Sequence, residues 1–299
     1  MSQSSFAGFD NIRNHAIHLE FVALLAGSLA MWWRSLATTL ELGLNSEAHT
    51  YILLIVPLSV ALIYDEIKRR PVRSRTRAWF GTILLGVALL LQSFTGWNVL
   101  HLSAGSNVSM SMFALVIWWF GSVIVCFGVE AFRSLLFPLC FLFLVVPFPN
   151  HALNWITEFL QRQSAVAAGM LFHAARVPVT RDGVLLFIPG LQIEVTRECS
   201  SIRSSTMLMV ITLILAHLFL RSWWRKSLLV LVAIPLSVAK NAVRIFTIAE
   251  LATRVDSGYL EGRLHRNGGI LFLSLALLAI LAVLWVLRKG DAQTVAESP

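Results

Sequence analysis

The chain has 299 residues, 57% of them hydrophobic and 13% charged, with a mean hydropathy of +0.74. A soluble domain of this size cannot bury so much apolar surface, and several uncharged runs approach the ~20 residues of a spanning helix, so the expected fold class is an all-α polytopic membrane protein. The net charge of +8 does not indicate a nucleic-acid binder, because the basic residues fall in short clusters between apolar segments, where they set topology.

Residues 1–13 are polar and lack the basic-apolar-small pattern of a removable signal peptide. Eight apolar segments follow, at 17–36, 48–64, 79–95, 108–128, 134–149, 201–220, 227–250 and 267–287. The loop after the second carries Lys68, Arg69, Arg70, Arg73, Arg75 and Arg77, which should hold it in the cytoplasm. Alternation then puts both termini inside, together with Arg221, Arg225 and Lys226 and, later, Arg288 and Lys289. One helix more or fewer between these clusters would turn the 221–226 cluster outward. Residues 1–290 read as a single integral membrane domain and 291–299 as a disordered tail.

The long connection from 150 to 199 faces outward in this topology. Leu153, Ile156, Phe159 and Leu160 recur at helical spacing with Glu158 and Arg162 among them, which predicts an interfacial or re-entrant helix over 154–177; a ninth spanning helix is the alternative. Leu191, Ile193 and Val195 then alternate with Gln192, Glu194 and Thr196 after a Pro189-Gly190 turn. That pattern predicts a small extracytoplasmic β-hairpin, and it delivers the chain to Cys199.

Cys199 sits where this polar segment gives way to a long apolar one. At a helix start, unpaired backbone N–H groups and Arg203 one turn on favour the thiolate. Cys126 and Cys140 fall within apolar segments, where cysteine is ordinarily a small hydrophobe. The seventh segment runs from inside to outside with Lys240, Asn241 and Arg244 in its apolar body. Counted from Ser227, Arg244 stands ~26 Å up, near the outer edge of the hydrocarbon layer. Such an arginine either faces the bundle interior or snorkels to the headgroups. His265 precedes the eighth segment and falls in the same outer layer. A thiol, an imidazole and a guanidinium brought together are the parts needed for acyl transfer through a thioester. No His/Cys/carboxylate spacing suggests a metal, and no glycine-rich phosphate loop follows a strand, so no cofactor is expected.

Three separated motifs carry a family resemblance: Glu194-Val195-Thr196-Arg197-Glu198-Cys199-Ser200-Ser201-Ile202-Arg203-Ser204, then Asn241-Ala242-Val243-Arg244-Ile245, then His265 with Gly269 four residues on. The chain resembles the exosortase/archaeosortase family of polytopic cysteine transpeptidases over nearly its whole length. Ser201 stands where many members have glycine. The resemblance implies Cys199, Arg244 and His265 as catalytic residues. Arg203 at i+4 from the sulfur either supports the thiolate or satisfies Glu198 or a headgroup, and Asn241 is expected in support, fixing Arg244 or a neighbouring helix by hydrogen bonding. The resemblance also implies secreted protein substrates bearing a C-terminal Pro-Glu-Pro-like signal, a transmembrane helix and a basic tail, and a bacterial inner-membrane location with the site on the extracytoplasmic side. The implied acceptor is a group at the cell surface; a plain intramembrane protease that uses water instead is a further alternative. The competing expectation is a non-enzymatic transporter or exopolysaccharide assembly factor whose Lys240, Asn241 and Arg244 line a polar path.

Overall fold

The computed structural model describes residues 3–69, 79–96, 103–195, 202–256, 258 and 263–296, with side chains described for all of these but 3–14, 96, 263–268 and 291–296. Among the described residues, five helices are long and apolar enough to cross a membrane, or up to seven if each of two bent pairs counts as one span. The protein is a polytopic, predominantly helical membrane protein, and its contacts fall into two compact units, Met1–Asn150 and His151–Pro299.

The first unit holds α1 (Gln3–Met31), α2 (Trp33–Asn45), α3 (Ile52–Arg69), α4 (Trp79–Gly96) and α5 (Ala104–Ser134). Helix α5 is its core, with Met112, Ala114, Leu115 and Val116 wholly buried. Several polar groups on these apolar helices find partners within the protein, as a setting without water favours. Trp118 Nε1 donates to the Leu24 carbonyl at 3.1 Å and Trp119 Nε1 to Ser28 Oγ at 3.1 Å. Ser111 Oγ donates to Gln92 Oε1 at 2.7 Å and lies 2.7 Å from Ser35 Oγ. Helices α4 and α5 cross at two glycines. A Cβ added at Gly81 would stand 2.6 Å from Val125 Cγ2 and 2.9 Å from the Val125 nitrogen, and one at Gly121 would stand 2.9 Å from the Gly81 carbonyl oxygen.

The apolar segment at 134–149 does not form a spanning helix of its own. Helix α6 (Leu136–Phe141) and a 3-10 turn at Leu142–Val145 make ~17 Å of helix against a ~30 Å hydrocarbon layer. The cause is in the sequence: Pro147 and Pro149 disfavour helical backbone in the residues before them, and Val146 is already extended at φ −68°, ψ 116°.

In the second unit α7 (Asn150–Ala174) is one continuous helix. It buries Leu160, Ala165, Ala168 and Phe172 on one face, and the exposed Glu158 and Arg162 form an i, i+4 ion pair at 3.6 Å. It ends with Arg176 in the left-handed region (φ 59°), a conformation that lets the Val177 nitrogen donate to the Phe172 carbonyl at 2.9 Å. A three-stranded antiparallel sheet follows, of β1 (Thr180–Asp182), β2 (Leu185–Ile188) and β3 (Leu191–Glu194). Gly183 (φ 60°) and Gly190 (φ 79°) make the turns. Strands β2 and β3 pair with Leu185 opposite Glu194 and Ile188 opposite Leu191, while β1 has no counterpart in the sequence-based expectation.

Helices α8 (Ile202–Phe219), α9 (Trp223–Arg254) and α10 (Arg263–Ala296) complete the unit. Helix α10 runs over 291–296, where a disordered tail is expected from sequence; Ala292, Gln293 and Ala296 are good helix formers, and the helix continues through them. Leu208, Ala216, Leu229, Ala233, Ala276 and Ile280 form the core among the three. Further along α9, Ala242, Ile245 and Ala249 pack instead against Ala165, Ala168 and Phe172 of α7 and against Leu186, Ile188 and Val195 of the sheet region. One helix thus carries both cores, and its second half receives the sheet.

Candidate active site

The relative heights of α8, α9 and α10 are fixed at one end by basic and aromatic side chains. The Arg288 guanidinium lies 5.9 Å from the Phe219 ring centroid, and a Cβ at Gly290 would stand 3.2 Å from Arg225 Nη2. Lys289 covers the Trp285 ring at 3.5 Å and Arg225 the Trp224 ring at 5.3 Å. Counted from this end at ~1.5 Å per residue, Ile202 on α8, Arg244 on α9 and Leu271 on α10 stand at about the same height. The backbone of His265 lies ~9 Å beyond them on the same side. The opposite, polar end of the bundle is therefore where α8 begins, where the second half of α9 runs and where α10 begins.

Arg244 is 8% exposed and Asn241 wholly buried. At i, i+3 they occupy one face of α9, and that face is turned into the protein, not toward the headgroups. Lys240, one turn before Arg244, is 6% exposed. Its ammonium donates to Ser204 Oγ and, at 3.5 Å, to Ser205 Oγ. Both serines are buried in the first turn of α8. Arg203, beside them, points to the exposed side.

Cys199 lies outside the described residues, and His265 is described in its backbone alone. Both flanks of the Cys199 segment are nonetheless anchored. Upstream, the Val195 side chain is wholly buried in the core shared with Ala242 and Ile245, its nitrogen donates to the Val184 carbonyl at 3.0 Å, and its carbonyl accepts from Gln161 Nε2 at 3.0 Å. Downstream, Ser204 is held by Lys240. Val195 and Ser204, described residues that flank 196–201 in sequence, are thus both held near one stretch of α9. The anchors themselves, Gln161, Ser204, Ser205 and Lys240, were not identified as such from sequence. Lys240 was visible as a charge in an apolar helix, but its spacing does not reveal which hydroxyls meet it.

The other cysteines differ from each other: Cys126 is buried in α5 and Cys140 is exposed on α6. Among the described residues no group of three His, Cys, Asp or Glu side chains could hold a metal ion. No curated protein and no solved structure matches the chain. The sequence model of a family described as transmembrane exosortase matches residues 32–282, a span that takes in α2 to α9, the sheet, the Cys199 segment and most of α10. On that match, which covers the greater part of its length, the chain belongs to the transmembrane exosortase family.

Proposed function

We propose that this exosortase-family protein is a membrane-embedded cysteine transpeptidase, with Cys199 as nucleophile, His265 as proton carrier and Arg244 as the group that stabilises the oxyanion. The observation that carries this reading is the anchoring of both flanks of the Cys199 segment on α9 beside the buried Arg244. The buried guanidinium, costly in a spanning helix, lies on the same stretch of α9 as both anchors.

The cycle begins with attack of the Cys199 thiolate on a backbone carbonyl carbon near the sorting motif of a secreted protein. The C=O electron pair moves onto oxygen, where Arg244 offsets the charge. The tetrahedral species collapses with cleavage of the C–N bond; His265 gives a proton to the departing amine, and a thioester remains. His265 then takes a proton from an acceptor nucleophile, which attacks the thioester and releases the Cys199 sulfur as thiolate. Asn241 fixes the orientation of Arg244 by sharing its face. Arg203 supports the thiolate from the exposed side.

In this reading each of α3, α5, α8, α9 and α10 crosses the bilayer once, as do the shorter α4, the bent α1–α2 pair and the bent stretch from α6 through α7. That makes eight crossings and leaves both termini cytoplasmic. The Cys199 segment, the second half of α9 and the start of α10 then face the extracytoplasmic side of a bacterial inner membrane. Lateral access for the transmembrane helix of the substrate follows from carrying out the chemistry in a bundle at the lipid boundary. Val195 and Ser204 converging on α9 favours this reading over a polar transport path, which requires no thiol between those anchors.

The test is a tagged secreted protein ending in a Pro-Glu-Pro-type signal, a helix and a basic tail, expressed with this chain. Cys199→Ala is expected to leave the substrate uncut while the variant remains inserted and abundant. Normal processing by that variant contradicts an enzymatic role for the thiol. Mass spectrometry of the new C-terminus separates transfer (an added group) from hydrolysis (a free carboxylate).

A further inference from the structure

The end of the second unit away from the candidate site is built from two stretches far apart in sequence, 219–226 and 285–290. Packing lays their cations on one another's helices. The Arg288 guanidinium of α10 stands 5.9 Å from the Phe219 ring at the end of α8. Arg225 of α9 lies in turn against the backbone of α10, where a Cβ at Gly290 would stand 3.2 Å from its Nη2. Lys289 covers the Trp285 ring at 3.5 Å, and Arg221 and Lys226 add two more cations in sequence. The nearest acid to these stretches is Asp291, and counting it leaves four positive charges in excess. Basic residues near a helix end are enough to set topology; arginines exchanged between helices are more than that requires.

The apolar surroundings of this cluster restrict which anion complements it. Trp223 is 78% exposed and Trp285 60%, and Leu218 and Phe219 are exposed beside them. Tryptophan favours the boundary between headgroups and hydrocarbon, so these cations stand at the depth of lipid phosphates. A water-soluble phosphate or an acidic protein segment would gain from the charges but not from open rings at that depth. A molecule that satisfies both carries an anionic headgroup and apolar chains. The guanidinium suits the headgroup, because its fork holds two phosphate oxygens by parallel N–H bonds. It has five N–H donors, more than one protein acceptor or a ring face engages.

We infer that the end where α8, α9 and α10 meet is a binding site for an anionic phospholipid, its headgroup phosphate held by Arg225 and Arg288 and its acyl chains lying along the exposed apolar side chains of the same helices. Lys226 and Lys289 add attraction at the rim. The bound lipid ties the last residue of α8, the start of α9 and the end of α10 together through the two arginines that already pack between them. The site is independent of any chemistry at Cys199, and it stands or falls separately from the enzymatic reading.

The experiment is native mass spectrometry of the full chain released from nanodiscs holding equal amounts of phosphatidylglycerol and phosphatidylcholine with the same acyl chains. The readout is the ratio of the two lipids retained on the protein. Two basic side chains at a membrane surface favour an anionic lipid about 30-fold, so the wild-type chain is expected to retain phosphatidylglycerol by about that factor. Arg225→Gln combined with Arg288→Gln is expected to lower the ratio about ten-fold or more. Lys68→Gln combined with Arg69→Gln removes the same charge from the end of α3 and is expected to leave the ratio within about two-fold of wild type. Inorganic phosphate added in excess is expected to leave the bound lipid in place. A wild-type ratio near one overturns the proposal, and this reading holds even if the double arginine variant does not accumulate. A ratio that falls equally in both double variants also overturns it, because the attraction would then be diffuse. Displacement of phosphatidylglycerol by inorganic phosphate overturns the lipid as occupant and points to a free anion.

Discussion

Arg244 is buried in a spanning helix, a costly place for a guanidinium that ordinarily marks a polar site inside the bundle. Its planar fork can hold an oxygen with two parallel N–H bonds, while lysine offers a point charge. Arg244→Lys is therefore expected to lower substrate processing about 100-fold with the protein still inserted, measured as initial rates of signal removal in membranes. A rate within a few-fold of wild type would mean that Arg244 acts through charge alone. At this scale the sequence was informative about identity and poor about partners. Asn241 and Arg244 at i, i+3 announce a common face, and the structure turns that face inward. Nothing in the spacing of Lys240 says that it meets Ser204 and Ser205, because a helix period reports the direction of a side chain and not the neighbour that lies there.

Among the elements, hydropathy located most of the helices, but one segment was misjudged. Residues 134–149 are apolar enough to span and are stopped short by Pro147 and Pro149, so composition suggested a helix that backbone sterics forbid. The turn at Pro189-Gly190 was legible because proline and glycine act locally, whereas β1 is three polar residues, Thr180–Asp182, with no alternation to reveal it. The α4–α5 crossing depends on small residues that hydropathy cannot distinguish from spacers. At Gly81 an added Cβ meets Val125 Cγ2 at 2.6 Å and a backbone nitrogen at 2.9 Å, while at Gly86, on the same helix, it meets nothing within 4 Å. Gly81→Ala is expected to destabilise the protein by ~1–3 kcal/mol through overpacking, seen as a lower thermal midpoint in detergent. Gly86→Ala should be neutral or slightly stabilising, because alanine restricts the unfolded chain. Equal midpoints for the two variants would show that α4 and α5 do not approach closely at Gly81.

For the whole molecule, the placement of charge and chemistry along the bundle is the unifying feature. Within the second unit, Arg225, Arg288 and Lys289 cluster with Phe219, Trp224 and Trp285 at one end of α8, α9 and α10, the pattern of a cytoplasmic membrane interface. The first turn of α8, the Arg244 face of α9 and the beginning of α10 occupy the other end. The sequence could suggest this layering through alternation of helices, since basic clusters restrict parity. It could not give the heights, which depend on packing between α8, α9 and α10. In the proposed mechanism Cys199, Arg244 and His265 share one pocket at that outer end, and a cross-link tests this most directly. In a chain with Cys126→Ser and Cys140→Ser, His265→Cys is expected to form an intramolecular disulfide with Cys199 under mild oxidation, read by intact mass, while Leu287→Cys at the far end of α10 stays reduced. An unlinked His265→Cys, or a Leu287→Cys that links to Cys199, would contradict the shared pocket.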